Sequence, residues 1–139
     1  MKSYTNLKQS KKLAEILPVE SADSTWKQYA IYGAALDAPE EMQYIHQETP
    51  FRFYSGFGFP CWSLAALFDL IPSKIYDSNN NSAYLWIHKD IDERQNKDNH
   101  YLAYHDPYDD FEHIETNQYD NFVDACYEMI QKLHELNLL

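Results

Sequence analysis

Apolar residues recur along the chain with two different periods, and each change of period marks an expected element boundary. Near the start Leu7, Leu13, Ala14 and Leu17 fall on one helical stripe while Lys8, Lys11 and Lys12 stay outside it. This predicts an amphipathic helix over residues 6–17, capped by Ser3 or Thr5 and stopped by Pro18. From Trp26 to Tyr54 the pattern shifts to short runs rich in Tyr, Phe and Ile, at 26–32, 42–46 and 51–54, which read as two or three strands. Residues 56–60 read as a turn that opens a second helix over 61–70, ended by Pro72. Apart from Ser63 and Asp69 that helix is apolar on every side, so it is expected to be buried on more than one face. After Asn79, Asn80 and Asn81 three further strand-like runs follow, at 83–88, 100–105 and 111–115, as an antiparallel meander. Residues 90–99 are expected to form a charged loop and 106–110 a short turn. The last helix, 122–136, carries Phe122, Cys126, Met129, Ile130, Leu133 and Leu136 on one stripe, with Asp120 or Asn121 as cap and Glu128 and Lys132 as an i,i+4 pair. Asn137 suits the left-handed conformation that would fold Leu138 back on Leu133.

The expected fold is therefore α+β, with an antiparallel sheet of about five to six short strands packed with three helices, N-terminal, central buried and C-terminal, in one domain over 1–139. A chain of 139 residues that is 45% hydrophobic and 16% aromatic is long enough for one core. The longest apolar run, residues 64–68, falls far short of the roughly 20 residues that span a bilayer. The first residues lack an apolar signal region and there are only two cysteines, so the cytoplasm is the expected compartment.

Charge narrows the partners. The net charge of −11 is uneven: residues 1–70 hold 6 basic and 8 acidic side chains, residues 71–139 hold 5 and 14. Between Tyr101 and Gln131 there is no Lys or Arg, while Asp106, Asp109, Asp110, Glu112, Glu115, Asp120, Asp124 and Glu128 all lie there. Such a field repels phosphate, which argues against direct nucleic-acid binding and against anionic lipid. It favours a basic protein partner, a divalent cation, or solubility alone. The chain also carries 12 Tyr, and tyrosine suits both half-buried sheets and interfaces. Tyr101, Tyr104, Tyr108 and Tyr119, with Asp109, Asp110, Glu112 and Glu115, are the candidate binding surface for a protein that is itself basic or nucleic-acid-binding. A sharper form of this expectation is a mimic of DNA charge; the bland alternative is a sheet face tiled with Tyr.

Other chemistry has weaker support. His100, His105 and His113 lie within 14 residues among carboxylates, a mixture that divalent metals accept, and a small metal-dependent hydrolase is the alternative they carry. Register decides their value. If Asp106 pairs with Phe111, His105 and His113 project to opposite sides; if Asp106 pairs with Glu112, they stand opposite each other. Cys61 at the start of a helix has the placement of an activated thiol, against the ordinary reading of a buried cysteine. Gly56 and Gly58 before that helix lack the rest of any phosphate-binding motif, and Ser63 is not in a nucleophile elbow. No catalytic residue and no cofactor is expected.

Residues 7–13 (LKQSKKL), 60–67 (PCWSLAAL) and 124–136 (DACYEMIQKLHEL) resemble a family of small proteins from anaerobic gut bacteria, often encoded in prophages or other mobile elements. The resemblance covers the three helices, about a third of the chain, and carries no catalytic or binding residue with it. It implies a cytoplasmic accessory protein of a phage or mobile element, with a phage structural or assembly component as a further alternative; a stable homo-oligomer would mark the latter.

Overall fold

The computed structural model describes residues 2–27, 44–46, 58–111 and 113–139. Among them the chain is α+β, with three helices and strands that pair antiparallel throughout. The described strands fall into two sheets, one of three strands and one of four. The chain divides into two compact units, residues 3–66 and residues 67–139 with Lys2.

In the first unit α1 (Leu7–Ala14) is capped by Asn6, whose side chain accepts the Gln9 N–H at 2.8 Å while the Gln9 side chain accepts the Asn6 N–H at 3.1 Å. This reciprocal capping box outcompetes the expected Ser3 or Thr5. Thr5 is committed elsewhere: it is buried, 2.7 Å from the Ser10 hydroxyl, and accepts the Trp62 N–H at 3.2 Å. Leu7 and Leu13 face inward as the stripe requires. Strand β1 (Ser24–Lys27) lies between β2 (Tyr44–His46) and β3 (Gly58–Cys61). The expected run at 51–54 and Gly56 lie outside the described residues. Residues 58–61, expected to turn and enter a helix, instead form β3, pairing Gly58 with Lys27 and Cys61 with Ser24. Pro60 is tolerated because β3 is an edge strand of this sheet among the described residues. Helix α2 (Leu64–Leu70) consequently starts three residues late, with the Ser63 hydroxyl accepting the Ala66 N–H at 3.2 Å. Ser63 in turn donates its N–H, at 2.8 Å, and its hydroxyl to Asp23. Leu67 is fully buried, whereas Ala65 and Asp69 are exposed.

The second unit is a meander: β4 (Lys74–Tyr76), β5 (Ser82–Asp92), β6 (Lys97–His105) and β7 (Ile114–Glu115) are neighbours in chain order. Strand β4 has no counterpart in the predicted elements. Asp77 shapes the β4–β5 turn by accepting the N–H groups of Asn79 and Asn81, both at 2.9 Å, with Asn80 at φ 65°. The expected charged loop at 90–99 is mostly strand, since β5 and β6 continue until only residues 93–96 turn, with Asn96 at φ 49°. Alternation keeps its charges in water on both sides of the ribbon, and Lys89 meets Asp98 at 3.5 Å across the strands. Helix α3 (Phe122–Glu135) packs against β6 and buries Val123, Cys126, Met129, Ile130 and Leu133. Its Asn121 cap accepts the Asp124 N–H at 2.9 Å. Asn137 sits at φ 56° and the Leu138 N–H donates to the Leu133 carbonyl at 2.8 Å, the expected Schellman ending.

Candidate functional site

In an antiparallel sheet opposed residues share a face, so the registers sort the meander without ambiguity. Leu85 opposes Tyr104, Ile87 opposes Leu102 and Tyr104 opposes Ile114. Leu102, Tyr104 and Ile114 are buried and make the inner face. Lys74 opposes Tyr84, Tyr84 opposes His105, Trp86 opposes Ala103, His88 opposes Tyr101 and Ala103 opposes Glu115. These make the outer face, and it is aromatic.

Trp86 is 55% exposed, and Tyr84 and Tyr76 are exposed beside it. The Lys74 ammonium lies 4.9 Å from the Tyr76 ring centre and 5.1 Å from that of Tyr84, so the negative faces of these two rings are already engaged by the chain's own cation. Across β5 and β6 the His88 ring stacks on Tyr101 at 4.4 Å and 3°, and Trp86 packs on His105 at 4.6 Å. The two imidazoles meet, Nε2 to Nε2, at 3.2 Å. Partial desolvation, then the Asp90 carboxylate to which it hydrogen-bonds, then Glu115, hold the Tyr101 phenol above its ordinary value. Towards the hairpin tip the inner side is also open: Ile87 is exposed and Ile91 is 68% exposed.

The residues singled out from the sequence do not form one surface. Tyr101 and Glu115 belong to the outer face. Tyr104 is buried on the inner face, where its hydroxyl donates to the Pro72 carbonyl at 2.5 Å and burial raises its phenol, so it is not an interface residue. Tyr108, 81% exposed, and Asp109 and Asp110 belong to the β6–β7 turn. That turn is organised by Asp106, which accepts the N–H groups of Tyr108, Asp110 and Phe111 at 2.7–2.8 Å. Tyr119 is half-buried and bridges His100 through its backbone. Glu112 lies outside the described residues.

The three histidines are likewise separated. His100 turns inward, its Nδ1 3.3 Å from the Tyr119 carbonyl and its ring against Phe122. His113 pairs with Glu115 at 2.7 Å, and His105 reaches His88 instead. The observed pairing of Tyr104 with Ile114 is the register that sets His105 opposite His113, yet the side chains choose other partners. Among the described residues no group of three or more His, Cys, Asp and Glu side chains converges as a metal site. His113, Glu115 and Asn117 also line a groove of about 450 Å³ with Lys132 and Leu136 of the C-terminal segment.

No family model, curated protein or solved structure matches this chain. The site therefore rests on its own geometry. Thiol chemistry has no support there: Cys61 is buried with its thiol pushed up to about 11 by desolvation, and its Sγ lies 3.5 Å from the Thr5 carbonyl. Desolvation likewise pushes Cys126 up to about 12. The signal for the outer face was present in Tyr84, Trp86 and His88, spaced two apart, but Leu85 and Ile87 make the other face of the same strand equally apolar.

Proposed function

We propose that this is a non-enzymatic accessory protein that binds a protein partner through the outer face of the β4–β7 sheet, centred on Trp86, Tyr84 and Tyr101. The observation that carries the reading is the exposure of Trp86, Tyr84 and Tyr76 side by side on one regular sheet face. Large aromatic rings left in water on a rigid surface are the composition of interface centres. The partner in this proposal is basic, because the 101–131 stretch holds eight carboxylates and no Lys or Arg, and one of those carboxylates, Glu115, stands on the outer face itself. Such a partner includes a nucleic-acid-binding protein, and the mobile-element setting implied by the resemblance of the helices is part of the same proposal.

The test is capture from nuclease-treated host lysate by the tagged chain, compared with the Tyr84→Ala/Trp86→Ala variant and with Tyr108→Ala as a control for an exposed ring off the face. The reading expects a basic protein that the wild type and Tyr108→Ala hold at low salt, that rising salt releases, and that the face variant fails to hold. A partner retained equally by the face variant contradicts it.

A further inference from the structure

We propose that His88 and His105 form a two-imidazole chelate for a divalent transition-metal ion on the outer sheet face. Their Nε2 atoms stand 3.2 Å apart. Two nitrogens bound at 2.0–2.1 Å to a tetrahedral ion are separated by about 3.3 Å, so the pair already has the spacing of one edge of a coordination sphere. The rings are held before any ion arrives: His88 lies flat on Tyr101 at 4.4 Å, and His105 is packed by Trp86 at 4.6 Å. Ala103, on the same face two residues before His105, is buried, and its methyl leaves room for the two rings to approach over the strand. Both imidazoles are half-buried rather than sealed in the core.

Without metal one Nε2 carries the proton of the hydrogen bond and the other accepts it. Coordination uses both Nε2 lone pairs, so the donor ring shifts to its Nδ1–H tautomer through solvent. Two nitrogen–metal bonds form and two waters leave the hydrated ion; nothing is oxidised or reduced. Since no third His, Cys, Asp or Glu converges among the described residues, water fills the remaining positions. Imidazole selects Cu²⁺, Ni²⁺ and Zn²⁺ over Mg²⁺, with Cu²⁺ held most tightly. This site is independent of the partner-binding reading.

Calorimetric titration of the tag-free full chain with CuCl₂, NiCl₂, ZnCl₂ and MgCl₂ tests it. One ion per chain is expected for the first three and no binding for Mg²⁺. His88→Ala and His105→Ala are each expected to weaken binding about 100-fold, the loss when a second contact is no longer intramolecular, while His100→Ala and His113→Ala leave it unchanged. A readout free of any folding defect is imidazole ¹⁵N NMR of the wild type with Zn²⁺, in which Nε2 of only His88 and His105, of the six histidines, shifts. Wild-type binding no stronger than that of the His88→Ala/His105→Ala variant, or Zn²⁺ shifts centred on His100 or His113, overturns the proposal.

Discussion

The two faces of the β4–β7 sheet are made from alternating residues of the same strands, yet they serve different ends. On the inner face Leu102, Tyr104 and Ile114 are buried, and α3 packs against β6 with Cys126, Met129 and Ile130 turned inward. On the outer face Tyr84 and Trp86 stay in water and the histidines pair with each other. A one-residue slip in any strand would exchange the two sets, so the same turns that fix register also fix which rings stay exposed. Apolar character alone therefore does not tell a buried ring from an exposed one: Tyr104 stands on the inner face and is buried, Trp86 on the outer face and is exposed.

Substitutions on the inner face have the largest expected effects. Leu102→Ala removes a fully buried side chain and is expected to cost about 2–5 kcal/mol of unfolding free energy, read from chemical denaturation. Next comes the dryness of the inner side, reported by Cys126. Desolvation raises its folded value from an ordinary 9.0 to about 12. The fold thus favours the neutral thiol, and that contribution is complete below the unfolded value and is lost as pH rises from there towards the folded one. Cys126→Ser, which does not ionise in this range, should abolish about 1.5 kcal/mol of the decline in stability between pH 7 and pH 10 seen in the wild type. In the native state Cys126 should also resist alkylation until the chain unfolds. Tyr104→Phe is smaller, about 1 kcal/mol, because it deletes the hydrogen bond to the Pro72 carbonyl and leaves the ring in place. Outer-face substitutions come last, and an effect from them as large as that of Leu102→Ala would erase the distinction between the faces.

Helix α3 is legible except at its edges: the stripe through Cys126, Met129, Ile130 and Leu133, the Asn121 cap and the Asn-Leu ending agree on one structure, while Leu136 falls just past the helix and is exposed. The meander was readable as strands, and β4 was not, since three residues carry too little pattern to stand apart from a turn. The charges at 90–99 predict a loop, whereas a two-stranded ribbon open to water on both sides accepts charge at every position. Proximity to carboxylates along the sequence groups Tyr101 with Tyr104. An odd separation within one strand places two side chains on opposite faces, and here it sends Tyr101 outward and Tyr104 into the core. The meeting of His88 with His105 depends on the β5–β6 register, which the extent of that turn sets and composition does not.

The measurement that tests the division most directly is the unfolding free energy of Tyr84→Ala/Trp86→Ala beside that of Leu102→Ala under the same conditions, with partner capture scored on the double variant. The division of the sheet predicts that losing both outer rings costs about 1 kcal/mol or less and abolishes capture. A double variant destabilised as much as Leu102→Ala, or one that is stable and still holds the partner, would contradict it.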